Sequence, residues 1–237
     1  MSDEKIKSTQ KFIPIQIAID GPAASGKTAV GKVLSKKIGC LFVDTGIMYR
    51  GITYSALENK IPVTNQKILA KFVKQLKIDF STCSSENAKQ NSQLLINNVN
   101  ITKHLETQDV EYNVSIVSNC KQVRKIMVQK QRQIAQNKSI VMLGRDIGTV
   151  VLPEAKIKIF LTASLETRAL RKFQELKKIK NHSTQNEILL DLERRDEIDS
   201  TRINSPLSIA KDAIIVNTDS TTITKTVTQI IQILQEN

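Results

Sequence analysis

A chain of 237 residues, 40% hydrophobic and 24% charged, has the apolar material for one sizeable core, and no run approaches the ~18 apolar residues of a membrane span. The formal net charge of +12 invites an anionic partner. The basic residues are spread along helices, though, and only six Phe and three Tyr could stack on bases, so a nucleic-acid partner is set aside.

The opening residues Met1–Lys11 are polar and mixed in charge, without the apolar core of a secretory signal. Residues 1–14 therefore read as a flexible tail, and 15–237 as a single domain. Cys40, Cys83 and Cys120 are odd in number and far apart, which fits a reducing cytoplasm and no metal site. Ile15–Asp20 is β-branched and short, as a buried strand is, and Ala29, Val30, Val33, Leu34 and Ile38 then recur at helical spacing until Gly39. Leu41–Asp44 is a second strand, Thr45–Leu57 a helix, and residues 65–75 another. From Leu76 the pattern changes. Leu76–Phe80 alternates, Ser81–Ser92 is a polar loop, and two short runs flank the turn pair Asn97-Asn98. Residues 76–105 thus read as a small antiparallel insertion. A long helix is expected from Asp109 to Gln136, then a buried strand at Ile140–Leu143. Lys156–Leu161 is a strand, and Ser164–Leu176 a helix capped by Ser164. Polar residues 177–185 lie at the centre of a lid over about 172–186. A helix near Asn186–Ser200, a strand at Ala213–Val216 and a helix at Ile223–Leu234 close the chain. Alternating strands and helices predict an α/β fold, a central parallel sheet flanked by helices.

Between the first strand and helix stands Gly21-Pro22-Ala23-Ala24-Ser25-Gly26-Lys27-Thr28, the pattern G-x-x-x-x-G-K-[ST] of a phosphate-binding loop. Its backbone N–H groups and the helix N-terminus, continuing to Ala29, face an anion. Lys27 brings a point charge to the β- and γ-phosphates, and the Thr28 hydroxyl reaches Mg²⁺ carried in with ATP. Ligands of an open parallel sheet bind beyond the strand ends. That singles out Asp44-Thr45-Gly46 with Tyr49 and Arg50, and Gly144-Arg145-Asp146. Arg168 and Arg171 share one helix face with Lys172 beside them, and Arg195, Asp199 and Arg202 share another. Either set could be surface salt bridges; beside a phosphate loop they point to phosphate clamping, which the planar guanidinium suits. His104 and His182 have no motif partner, so neither a catalytic histidine nor zinc is expected. A hydroxyl acceptor with Asp44 as general base is the rival reading. A GTP switch is disfavoured, because Asn137-Lys138-Ser139 is followed by Ile140 and not by Asp.

Four segments together resemble the bacterial cytidylate kinases: Ile17–Ala23, Asp44-Thr45-Gly46-Ile47-Met48-Tyr49-Arg50, Gly144–Pro153 and Arg194-Arg195-Asp196-Glu197-Ile198-Asp199. The resemblance runs from about Ile15 to the C-terminus. It implies a P-loop kinase with an antiparallel monophosphate-binding insertion and a lid, moving the γ-phosphoryl group of ATP to CMP or dCMP in the cytoplasm. Nothing in it demands more than a monomer. It also implies that Thr45 and Arg50 hold the acceptor phosphate with Tyr49 close by, and that Ser115, Arg124 and Asp146 read the cytosine. Arg195, Asp199 and Arg202 would meet the ribose and acceptor phosphate, and Arg145 the phosphates. Lys27, Arg145, Arg168 and Arg171 would be the catalytic cations, the last two in the lid region. Ala24 stands where the family often has glycine, Ser200-Thr201 where it has a more basic pair, and Lys172 where it has arginine.

Overall fold

β1 (Gln16–Asp20) is apolar on both of its faces, so it can be satisfied only inside a sheet covered on both sides. In the computed structural model, which describes residues 14–81, 93–178 and 183–236, it is the central strand. β6 (Ile140–Gly144) and β7 (Ile157–Thr162) flank it, with β2 (Leu41–Asp44) outside β6 and β8 (Ile214–Asn217) outside β7, every pair parallel. Most of the expected tail, the loop 82–92 with Cys83, and residues 179–182 of the expected lid with His182 lie outside the described residues. The register matters for function. Asp20 pairs with Gly144 and Phe160, Asp44 with Leu143, and Thr162 with Asn217. All five strands therefore end along one edge, and the segments after them emerge there side by side.

Alternation along the strands divides the core. Ile17, Ile19, Val141, Leu143, Ile159 and Leu161 pack under α1 (Lys27–Ile38) and α8 (Ile223–Glu236) through Val30, Leu34, Val227 and Ile230. Ala18, Val43, Ile140 and Met142 face the other way. They meet α2 (Thr45–Glu58) through Met48 and Ile52, and α5 (Lys121–Ala135) through Val123 and Met127. Gly39, at φ +67°, closes α1 as a left-handed cap.

A second sheet is antiparallel: β3 (Ile78–Ser81), β4 (Gln93–Ile96) and β5 (Val99–Asn100). Asn97 and Asn98 take φ +51° and +67°, as a two-residue hairpin turn between right-twisted strands requires. Gly51 lets α2 press onto this sheet, because a Cβ there would stand 2.3 Å from Leu94 Cδ2. Tyr54 of α2 stacks on His104, centroids 4.9 Å apart, so this histidine is a packing element.

The long helix expected over 109–136 is two helices, α4 (Gln108–Asn119) and α5, broken where Cys120 takes φ −68° and ψ 113°. α4 packs on α2, whereas α5 packs on α3 (Gln66–Gln75), so one straight rod could not serve both. Ser118 and Asn119 are weak helix formers and yield there. Cys120 is buried and apolar, so the periodicity runs on unbroken through the kink. α6 (Leu165–Lys178) begins, as expected, with the Ser164 hydroxyl accepting from Thr167 N, and α7 (Gln185–Thr201) with a Thr184/Glu187 capping box. No helix among the described residues is long and apolar enough to cross a membrane.

Candidate active site

The turn out of β1 is tight because Gly21 has no side chain. At φ +147°, a Cβ on it would lie 2.0 Å from the Leu161 carbonyl oxygen of β7. Gly26, at φ +92°, turns the chain into α1. Ala24 takes φ +58°, a left-handed conformation that an L-residue enters at a cost of roughly 1–2 kcal/mol. Inside the loop the Lys27 ammonium donates to the Pro22 carbonyl and to Ser25 Oγ. Burial, then the nearby Arg145, hold its pKa well below the ordinary lysine range. A phosphate chain would repay both. Ala29, half-buried, lies in the first turn of α1.

The Thr28 hydroxyl donates to Asp44 Oδ2 at 2.9 Å, while Asp44 Oδ1 caps α2 through Gly46 N, also at 2.9 Å. A hydroxyl beside a carboxylate is a hard-oxygen pair of the kind Mg²⁺ accepts. Among the described residues no three His, Cys, Asp or Glu converge as a cage. Mg²⁺ needs none, since it is commonly shared between one or two carboxylates and substrate phosphates.

Beyond β6 lies the second half of the site. The buried Arg124 and Asp146 pair at 2.6 Å, with side chains 5% and 8% exposed, and the guanidinium lies over the Tyr49 ring at 5.6 Å. Burial pulls the Arg124 pKa down, but Tyr49 and Asp146 outweigh it and raise it. Burial likewise pushes the Tyr49 phenol up to about 12. Asp199 sits between two arginines, accepting from Arg145 Nε at 2.7 Å and pairing with Arg202 Nη1 at 3.2 Å. Burial and then Arg124 lower Arg202. Arg124 Nε and Arg202 Nη2 are buried without a partner, two donors open to a ligand. The Thr45 hydroxyl donates to the Leu143 carbonyl at 2.8 Å, beneath this cluster.

Other expected residues stand apart. Arg50 pairs with Glu111 of α4 at 3.5 Å, and Arg195 with Asp191 at 2.9 Å, both partly exposed. Ser115 lies on α4, its carbonyl accepting from Ser118 Oγ. Lys172 pairs with Glu175 at 3.1 Å. Arg168 and Arg171 serve the phosphate loop from beneath. Arg168 donates to the Ala163 and Ala23 carbonyls at 3.0 and 3.3 Å and pairs with Asp196 at 2.6 Å. Arg171 donates to Thr218, whose hydroxyl donates to the Ser25 carbonyl at 3.1 Å.

Sequence reasoning gave Asp20 no role, although its place just before Gly21 at a strand end was a usable signal. It is 5% exposed and accepts from Ile147 N at 2.8 Å and Gly148 N at 2.7 Å. Burial pushes its carboxyl from the ordinary 3.8 up to about 6 against these two bonds, with Asp146 adding to the rise and Lys27 opposing it. Asp44 was weighed only as a base, and Thr218 was missed; nothing in its sequence context marks it.

Two measurements check these assignments. In the loop, Gly21→Ala should destabilise the protein by at least about 2 kcal/mol, since strained backbone and overpacking combine. Ala24→Gly should stabilise it by up to about 1 kcal/mol, the left-handed strain outweighing the extra chain entropy of glycine; urea midpoints read both signs. For Asp20, a folded pKa above the unfolded one means that the native state binds the proton more tightly. Its contribution is full below pH 4 and is lost as pH rises through about 6. The stability difference between wild type and Asp20→Asn should therefore shift against wild type, by the order of 2 kcal/mol, from pH 4 to 7.5.

A family model described as cytidylate kinase matches residues 17–236. The cytidylate kinase of Ligilactobacillus salivarius (strain UCC118) is 42% identical over 223 residues, 94% of this chain and 97% of that protein. That of Bacillus subtilis (strain 168) is 39% identical over the same shares. An uncharacterized protein from Eubacterium ventriosum ATCC 27560 superposes with a TM-score of 0.51 at 12% identity, over 94% of this chain and 99% of that one, a likeness of fold. With the phosphate loop, the buried Arg124–Asp146 pair and a match along nearly its whole length, the chain belongs to the cytidylate kinase family.

Proposed function

We propose that this protein transfers the γ-phosphoryl group of ATP to CMP or dCMP, giving ADP and CDP or dCDP. The observation that carries the reading is the juxtaposition along one sheet edge of a complete phosphate loop and a buried Arg124–Asp146 pair. The first binds a donor's phosphates. The second suits a cytosine: a carboxylate accepts from its exocyclic amine, and a guanidinium donates to its carbonyl face. A uracil would bring a carbonyl against the same carboxylate and be rejected.

The acceptor needs no general base. A nucleoside monophosphate is largely dianionic at neutral pH, its second pKa being about 6, so a phosphate oxygen attacks directly in line with the leaving ADP. Lys27 and Arg145 lie close enough to depress the Lys27 pKa, and they meet the transferring group from the donor and acceptor sides. Mg²⁺, brought with ATP, would be held by the Thr28 hydroxyl and Asp44 carboxylate and would neutralise charge on the β- and γ-phosphates. Asp44 as general base is disfavoured, since both its oxygens are engaged by Gly46 and Thr28. Arg168 and Arg171 contribute by steadying the loop that carries the phosphates. Arg50 and Arg195, with Thr45 and Tyr49 near them, receive the acceptor phosphate and ribose with Asp199 and Arg202, and Ser115 closes the base side. Residues 76–105 form the monophosphate-binding insertion. Every group named comes from one chain, so a monomer suffices.

Incubation with ATP, Mg²⁺ and a panel of monophosphates tests the reading: CMP and dCMP should be phosphorylated well above UMP, AMP and GMP, and no such preference would refute it. Lys27→Ala should abolish transfer while leaving the circular dichroism spectrum unchanged. Asp146→Ala should raise KM for CMP by about 10- to 100-fold, the worth of a charge-assisted hydrogen bond, with KM for ATP little changed.

A further inference from the structure

Asp146 stands at the entry of a π-helical turn, Ile147–Val151, closed by bonds from Val151 N to the Asp146 carbonyl and from Leu152 N to the Ile147 carbonyl. An Asp at that position ordinarily turns its carboxylate back onto the free N–H groups of its own turn. Here it makes no such bond. Its carboxylate reaches away to Arg124. The N–H groups it would have taken, those of Ile147 and Gly148, go instead to the two oxygens of Asp20, at 2.8 and 2.7 Å. Asp20 is the last residue of β1, immediately before Gly21, and sits in register with Gly144. The cap on the acceptor-side turn is thus supplied by the strand that launches the donor loop.

We propose that Asp20 is a positioning residue for acceptor recognition: by capping the 147–151 turn in place of Asp146, it leaves the Asp146 carboxylate free for Arg124 and the acceptor's base. Three observations support it. The two bonds use both carboxylate oxygens and are buried, so no water can replace them without opening the core. Gly148 offers no side chain toward the carboxylate; a Cβ there would stand 3.4 Å from Asp20 Oδ2. Asp20 and Asp146 are also close enough to repel, which disfavours a return of Asp146 to its own turn while Asp20 is charged. If Asp20 is neutralised or shortened, the Ile147 and Gly148 N–H groups lose an acceptor, and the nearest carboxylate able to take them is that of Asp146.

The inference rests on the reading of Asp146 as the base-binding group, and the test separates the two. KM for CMP, KM for ATP, kcat and the CMP-over-UMP preference are measured for Asp20→Asn and Asp20→Ser, in the wild-type and Asp146→Ala backgrounds. In the wild-type background, KM for CMP should rise about fivefold, the worth of one cap. The CMP-over-UMP preference should fall by a similar factor, with KM for ATP within about twofold. With Asp146 already replaced, the Asp20 substitutions should leave KM for CMP where Asp146→Ala put it. Equal rises in both KM values, a fall in kcat alone, or the same fivefold effect in the Asp146→Ala background would overturn the proposal. Amide exchange on the wild-type protein adds a check free of any folding defect: the Ile147 and Gly148 N–H groups should exchange only with global unfolding, and rapid exchange of either would also overturn it. Should Asp146→Ala itself leave KM for CMP unchanged, the base-site assignment falls, and this inference with it.

Discussion

Cations gathered to meet two phosphate chains repel one another before either chain arrives. Every other feature of the site answers that constraint. Lys27 and Arg145 feel each other, as do Arg124 and Arg202, and two of these four, Lys27 and Arg202, are pushed below their ordinary pKa ranges by burial and by this repulsion. The protein counters by interposing carboxylates. Asp199 bridges Arg145 and Arg202, Asp146 holds Arg124, and Asp196 holds Arg168. Each carboxylate also fixes a direction, so the guanidinium planes are set in advance and little reorganisation is left for the reaction. The parallel register makes this feasible, because it ends all five strands at one level and collects their following segments within reach.

Much of this was legible from the chain, and the legible part has a common character. Short β-branched runs gave the five parallel strands, and Gly21–Thr28 gave the loop, because strand burial and phosphate cradling each dictate residue type at fixed spacing. Asn97-Asn98 announced the hairpin for the same reason. What stayed hidden depends on contacts between distant positions. Cys120 looks like any apolar helix residue, and its break follows from α4 and α5 leaning on different partners. The bracing by Arg168 and Arg171 could not be foreseen, since their acceptors, the Ala23 carbonyl and Thr218, are far along the chain. Arg195 pairs with Asp191 and not with Asp199, because Asp199 faces the opposite arginines.

Local rules are broken mainly around the site. Ala24 occupies a left-handed conformation, Asp146 declines to cap its own turn, and Asp20 is a buried carboxyl raised to about 6. Each costs stability where it stands. A chain under selection for stability alone would shed them, so their clustering within the phosphate loop and the turn opposite marks where function sets the sequence.

The two halves of the acceptor site differ in how far they are assembled. The Arg124–Asp146 pair is buried, and separating it would leave two unpaired charges away from water, so the base pocket is rigid before any ligand enters. Arg50 and Arg195 are held differently. Their pairings with Glu111 and Asp191 are partly exposed, and such pairs contribute little, so a phosphate dianion can take either arginine at small cost. The order of events follows from this asymmetry. The base is recognised first against fixed groups, and the phosphate then draws Arg50 and Arg195 from weak surface partners. A monophosphate with the wrong base is turned away at the rigid pocket before the clamp has closed on its phosphate.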